Sequence, residues 1–109
     1  MDSVAIGQGA VAQSEASIAM GRGALAESAV AIGENAAATG ERSTALGDFT
    51  EARGDRGTAV GVDATADGEG SVALGDDAHA EGMNSTALGD DAVALGDNSV
   101  ALGDGSVAA

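Results

Sequence analysis

The 109-residue sequence contains no cysteine, proline, tryptophan or tyrosine, and Phe49 is its only aromatic residue. The absence of cysteine excludes disulfides and thiol chemistry, although it does not fix the redox compartment. The hydrophobic fraction of 44% is mostly alanine. Because a buried Leu, Ile or Phe contributes about 1.5–3 kcal/mol and an alanine methyl much less, one chain buries little apolar surface per residue. The composition therefore favours a stacked or associated repeat structure over an ordinary globular core.

Positive charge is also scarce, since the chain has no lysine and only four arginines against 18 acidic residues, for a net charge of −14. This balance argues against binding to nucleic acid, which needs cationic contacts to phosphate, and against anionic membrane surfaces. The sequence has no apolar run of about 18 residues that could span a bilayer as a helix. Its start at residues 1–3 lacks the basic region of a signal peptide. We expect no direct membrane contact and interpret the chain as a piece of a longer exported protein.

The phrase Val-Ala-Ile-Gly recurs in nine close variants, from residues 4–7 to residues 100–103, mostly 14 residues apart. One interval is 12 residues and the last two are 7. Self-similarity at a fixed short period indicates a stack of small units. Most units contain two heptads, Ser-Val-Ala-Ile-Gly-x-x followed by Ala-x-Ala-x-Gly-x-x. The units begin near Ser3, Ser17, Ala29, Ser43, Gly57, Ser71, Ser85 and Ser99.

A heptad suggests a coiled coil, but coiled coils need apolar residues three and four positions apart. Here the large apolar residues are two apart, as in Val72 and Leu74, and a glycine recurs in nearly every heptad. Each such glycine would cost a helix about 1 kcal/mol. Period-two alternation with Gly-Asp and Gly-Asn turns predicts short strands instead. The sequence predicts an all-β solenoid with two short strands per 14-residue coil, and a rod of roughly 35 Å at about 4.8 Å per coil.

The two strands of each coil differ in their outward residues. Ala78 and Ala80 alternate with His79 and Glu81, which predicts alanine inside and variable residues in water. The same alternation turns the Val, Ile and Leu side chains of the first strand outward. Such a long apolar stripe invites association, so we predict parallel packing of identical chains. The predicted interface residues are Val4, Ile6, Ile18, Met20, Val30, Ile32, Leu46, Val60, Val72, Leu74, Leu88, Val100 and Leu102.

Residues 3–7 and 71–75, which read Ser-Val-Ala-Ile-Gly and Ser-Val-Ala-Leu-Gly, resemble the repeat phrase of the YadA-like head of trimeric autotransporter adhesins. The resemblance covers residues 2–109 and implies a left-handed parallel β-roll in a parallel homotrimer of identical chains. It also implies a place on the Gram-negative cell surface, held at the outer membrane by an anchor outside this chain. We expect a single head repeat domain over 1–109, in which 85–109 approach a neck that is missing here.

The resemblance implies a non-enzymatic adhesin head that attaches to extracellular matrix or a cell-surface ligand. No Ser/His/Asp or Cys/His set is present, and a single histidine leaves few general acids or bases near pH 7. The alternative is a structural spacer, a virion fibre or a self-assembling extracellular filament without a ligand. A left-handed β-helix acyltransferase is disfavoured because its period is six residues. The residues expected to face a ligand are Glu51, Arg53, Thr65, Asp67, His79 and Glu81.

Aspartates recur at one turn position, so stacked coils bring like charges to about 5 Å. We expect these side chains to splay into solvent and the chain to need no cofactor, with calcium between the carboxylates as the alternative. His79 could join such a site, because imidazole and carboxylate suit several divalent ions. The turn aspartates are Asp48, Asp76, Asp90 and Asp104. The candidate metal ligands are Asp76, Asp77, His79, Asp90 and Asp91.

Three further features have structural interpretations. The Gly-x-Gly stretches at 7–12 and 21–26 touch the dinucleotide fingerprint, but a strand and not a helix is predicted to follow each of them. Phe49 lies in a predicted turn, where we favour a plug at an interface over a contact patch. The arginines of the one basic stretch are expected to pair with interleaved acids of neighbouring coils or chains. These arginines are Arg42, Arg53 and Arg56.

Near the C-terminal end the second-strand pattern changes. Val93 and Leu95 make the outward face wholly apolar, whereas the outward residues of earlier coils are mixed and often polar. We therefore expect a neighbouring chain or a following segment to cover this face.

Overall fold

The computed structural model describes residues 2–109, and within them it contains sixteen short strands and no helix. Odd-numbered strands have three residues and even-numbered strands two. Their bounds are β1 (Val4–Ile6), β2 (Val11–Ala12), β3 (Ile18–Met20), β4 (Leu25–Ala26), β5 (Val30–Ile32), β6 (Ala37–Ala38), β7 (Thr44–Leu46), β8 (Glu51–Ala52), β9 (Thr58–Val60), β10 (Thr65–Ala66), β11 (Val72–Leu74), β12 (His79–Ala80), β13 (Thr86–Leu88), β14 (Val93–Ala94), β15 (Val100–Leu102) and β16 (Val107–Ala108).

The odd strands form one eight-stranded parallel sheet and the even strands form another. We call these the odd sheet and the even sheet. Equivalent residues of successive coils stack directly, as Ala31 does on Ala45 and Ala45 on Ala59. The eight coils make a body of 40 × 20 × 12 Å, as expected for a strand spacing of about 4.8 Å. The predicted all-β solenoid with two strands per coil is confirmed.

The interior between the two sheets holds only very small side chains. Every buried apolar residue of the described chain is an alanine, and Ala31, Ala45 and Ala59 are completely inaccessible. The largest fully buried side chain is Thr50, whose hydroxyl donates a hydrogen bond to the Gly47 carbonyl at 2.7 Å. The predicted alanine interior is therefore confirmed, with the inward Ser and Ala of the first coil exposed at the open end of the stack.

Each odd strand is followed directly by a glycine with positive φ. At Gly47, φ is 130°, and an added Cβ would lie 2.8 Å from the carbonyl oxygen of Gly61 in the next coil. Close stacking and backbone conformation both therefore require glycine at this position. Two residues later the chain adopts the left-handed conformation, where most coils have Gly, Asn or Asp. Phe49, at φ 61°, is the bulky exception.

The 12-residue unit differs from its neighbours at one corner. Three residues, Glu27, Ser28 and Ala29, link β4 to the next odd strand, whereas the equivalent corners of the other coils have five. Strand pairing remains in register across this coil, with Ile18 opposite Val30. The shorter corner lies beside a notch of about 360 Å³ between neighbouring corners. Residues lining this notch are Glu15, Ala16, Ser28, Ala29, Val30, Arg42, Ser43 and Thr44.

Replacing Ala59 by leucine should disrupt the stack, because Ala59 is inaccessible and lies between Ala45 and Ala73. Overpacking a close-packed interior typically costs about 1–3 kcal/mol, and here the sheets would have to separate. We expect Ala59→Leu to lower the melting temperature clearly in circular dichroism. Thr39→Leu, on the exposed outer surface, should change stability by no more than about 0.5 kcal/mol. Equal melting of the two variants would contradict the interior assignment.

Candidate functional site

The outer face of the odd sheet is an apolar surface that runs the length of the rod. Its strands turn alanine inward and larger side chains outward, and equivalent residues stack, as Ile32 does on Leu46. All thirteen predicted interface residues lie on this face, and each is exposed or half-buried in the single chain. Ile6 is 55% exposed and Leu102 is 62% exposed. The apolar stripe predicted from the sequence is thus present, and none of residues 2–109 covers it.

The outer face of the even sheet carries the six residues expected to face a ligand. They lie on three neighbouring strands, β8, β10 and β12, or directly after them. Thr65 lies between Glu51 and His79 in the strand register, and it is only 6% exposed. Thr65 therefore offers little surface to a partner, whereas the other five are exposed or half-buried.

Arg53 organises the middle of this face. Its guanidinium donates hydrogen bonds to Glu51 at 2.7 Å and to Asp67 of the next coil at 2.9 Å. The hydrogen bond to Asp67, together with the charges of Asp67 and Glu51, raises the pKa of Arg53. Half of the six candidates are thus paired with one another.

Charge pairing also joins other coils. Arg56 pairs with Glu69 at 2.7 Å, and Arg22 forms an ion pair with Glu34. Arg42 lies 3.6 Å from Glu41. The predicted pairing of arginines with acids of neighbouring coils is confirmed for Arg53 and Arg56. Such exposed pairs contribute about 0–1 kcal/mol each, so they order the surface more than they stabilise the fold.

The acidic turns come together at the C-terminal end of the rod. Ligand oxygens of Asp90, Asp91 and Asp104 lie within 4.8 Å of one another, and all three residues are exposed. Two of these were predicted metal candidates, and Asp104 joins them because it follows Asp90 by one coil. Among the described residues this is the sole such grouping, so the other three candidates are not part of one. Those three are Asp76, Asp77 and His79.

His79 lies instead on the even sheet, with its Nδ1 3.9 Å from an oxygen of Glu81. At the acidic cluster, desolvation and the negative charges of Asp91 and Asp104 raise the pKa of the Asp90 carboxyl. The carboxylates of this cluster therefore repel one another, as expected for stacked like charges.

The last coils of the even sheet are apolar on their outer face. Leu95 is 45% exposed and Val107 is 67% exposed, and Val107 stacks directly on Val93. Val11, at the other end of the even sheet, is 43% exposed, so this sheet has a charged middle between two apolar ends. Both Gly-x-Gly stretches lead directly into strands, at Val11–Ala12 and Leu25–Ala26, so their glycines serve as turn residues.

A family comparison identifies this repeat. The model described as YadA head domain repeat (2 copies) matches residues 1–24, 24–50, 52–78, 66–92 and 80–106. A comparison with curated proteins finds no match. Within residues 2–109, no helix is long and apolar enough to cross a bilayer.

Replacing Asp90 by asparagine should relieve the repulsion at the cluster. Because the pKa of Asp90 is raised on folding, its charge destabilises the folded chain above that pKa, and the penalty fades as the pH falls through it. We expect Asp90→Asn to melt at a higher temperature than the wild type at pH 7, with the gap narrowing towards about pH 4. Asp2→Asn, far from the cluster, should melt at the wild-type temperature at pH 7.

Asp90→Asn should melt at a higher temperature than the wild type both in calcium chloride and in EDTA. A calcium ion held between the carboxylates would reverse it, because a bound ion stabilises the folded chain by mass action. Asp90→Asn would then melt below the wild type in calcium.

Proposed function

Since the chain belongs to the family of YadA head domain repeats, we propose that it is the head segment of a cell-surface adhesin. In this role it is a stiff, non-enzymatic rod that presents side chains for attachment. The observation that carries the proposal is the division of the rod into two outer faces. One is apolar along its whole length, and the other displays variable, charged residues.

The apolar face of the odd sheet supports a parallel homotrimer, the assembly that the family implies. Single chains rarely expose a contiguous apolar surface of more than a few hundred Å², and this one extends along a 40 Å rod. Turning the three odd sheets towards a common axis would bury Ile32, Leu46 and their equivalents. Membership of the family supports a left-handed roll and three chains.

The outer face of the even sheet would then point away from the axis and meet the ligand. In a trimer each side chain appears in triplicate, so weak contacts to a multivalent surface would add through avidity. We propose extracellular matrix protein or a cell-surface molecule as the ligand, with Arg53, His79 and Glu81 near the centre of the contact.

We place the head outside a Gram-negative outer membrane, held by an anchor that lies outside this chain. Residues 85–109 would lead towards the neck in this arrangement. The exposed Leu95 and Val107 support this proposal, because an exposed apolar surface at the end of the rod suits coverage by a neighbouring chain or a following segment.

The second candidate is a structural spacer or fibre segment without a specific ligand. One observation favours it: Arg53 is already paired with both Glu51 and Asp67, so the centre of the even face satisfies its own charges. A surface of this kind stays hydrated without a partner.

Placing aspartate at Ile32 and Leu46 should dissolve the assembly, because two charges per chain would be buried in the proposed interface. We expect the double variant to sediment as a monomer in analytical ultracentrifugation while its circular dichroism stays that of the folded roll. Thr39→Asp, on the outer face of the even sheet, should keep the wild-type mass. A double variant with the mass of the wild-type oligomer would show that the interface lies elsewhere.

The ligand proposal is tested with a panel of immobilised extracellular matrix proteins and cells. We expect saturable binding by the wild type, weakened about 100-fold or more in the monomeric Ile32→Asp/Leu46→Asp variant through lost avidity. Arg53→Glu should weaken binding, whereas Arg22→Glu, with the same charge change at a corner, should not. Absence of saturable binding across the panel would overturn the adhesin proposal in favour of the spacer.

A further inference from the structure

Phe49 occupies a backbone position that is unfavourable for it. Its φ is 61°, and its equivalents in the next coils are Asp63, Asp77 and Asp91, which tolerate this conformation. A bulky residue there stores strain, and strain of this kind is usually offset by function. Phe49 is also 51% exposed, so about half of its surface remains uncovered by its own chain. The one aromatic side chain of the sequence therefore has no role that a single chain explains.

The notch beside the short corner is a matching concavity. Its floor and walls include the small or apolar groups of Ala16, Ala29, Val30 and Thr44. Its volume is about 360 Å³. Since a cavity of roughly 150 Å³ takes up benzene, the notch has room for a phenyl ring.

The two features lie on opposite edges of the odd sheet. All odd strands run in the same direction, so residues that precede them form one edge and residues that follow them form the other. The notch lies where residues precede the odd strands, a side that we call the leading edge. Phe49 lies where residues follow these strands, a side that we call the trailing edge. In a ring of parallel chains, the trailing edge of one chain meets the leading edge of the next.

Phe49 and the notch also lie at the same height along the rod axis. Thr44 begins β7 and lines the notch, and Phe49 lies in the turn that follows the same strand. Chains related by rotation about an axis parallel to the rod share every level. Phe49 of one chain therefore lies at the height of its neighbour's notch wall.

Charges of opposite sign flank the two features. Arg42 lines the notch with its side chain 70% exposed, and its pairing with Glu41 is long, at 3.6 Å. Asp48 precedes Phe49 and is exposed, with one carboxylate oxygen accepting a hydrogen bond from the Glu34 backbone at 3.0 Å. Arg42 of one chain can thus pair with Asp48 of the next.

We propose that Phe49 inserts into the notch of the neighbouring chain, beside an Arg42–Asp48 pair, and so fixes the axial register of the assembly. The proposal rests on the parallel assembly proposed above. The apolar stripe alone fixes register poorly, because it repeats with every coil and a slip by one coil keeps similar contacts. The short corner and Phe49 each occur once, so their match selects a single alignment.

Disulfide trapping tests the contact directly, because the chain has no cysteine of its own. Within one chain residues 28 and 49 lie on opposite edges, about 15 Å apart along an extended strand, which is too far for a disulfide. We expect Ser28→Cys/Phe49→Cys to form a covalently closed oligomer on mild oxidation, seen on a non-reducing gel. The matched control, Ser28→Cys/Asp77→Cys, carries its second cysteine at the same turn position two coils on, displaced by about 10 Å. It should stay uncrosslinked.

A second variant distinguishes the loss of the contact between chains from the relief of backbone strain at residue 49. Phe49→Asn suits the left-handed turn, so its folded chain should be at least as heat-stable as the wild type, yet it should associate about 10- to 100-fold more weakly in sedimentation equilibrium. Asp77→Asn should associate like the wild type. Wild-type association by Phe49→Asn, or equal crosslinking of the two cysteine pairs in an intact oligomer, would overturn this inference alone. A monomeric wild-type chain would overturn the parallel assembly and this inference together.

Discussion

The two sheets of the roll lie so close together that only alanine, serine and an occasional threonine fit between them. This constraint determines most of the remaining structure. Large apolar side chains cannot turn inward, so they collect on the outer face of the odd sheet. Because alanine methyl groups bury little apolar area, the rod relies on repeated backbone pairing between coils. Its outer apolar face can be removed from water only by association with another chain.

Stacking in register also governs the charges. Each side chain meets the side chain one coil away, so a residue type repeated at one position becomes a ladder. Where signs alternate, as at Arg53 and Asp67, the ladder forms ion pairs between coils. Where they do not, as at Asp90 and Asp104, repulsion accumulates and raises the pKa of Asp90. The rod thus has a paired charged middle and a repulsive acidic end.

Much of this could be predicted from residue spacing. Alternation in a phrase such as Ser71 to Gly75 already distinguishes the inner alanine from the outer valine and leucine, and the fold confirms that assignment. Thr65 shows the limit, because it alternates with inward alanines like the other outward residues, yet it is buried between the strands of Glu51 and His79. Asp104 joins Asp90 and Asp91 for the same reason, since only the turn geometry sets which carboxylates converge.

The sequence by itself determined the coil, its two faces and its family, because period, alternation and glycine placement are local properties of the chain. Tertiary structure alone decided what the irregular units do. The 12-residue spacing shows that two residues are missing before Ala29, but only the folded coil places this corner beside a notch. Phe49 reads as a turn residue in sequence, whereas the structure places it in a strained, exposed conformation on the opposite edge from that notch. The relative positions of the notch and Phe49 depend on how successive coils stack, and no local sequence pattern encodes that stacking.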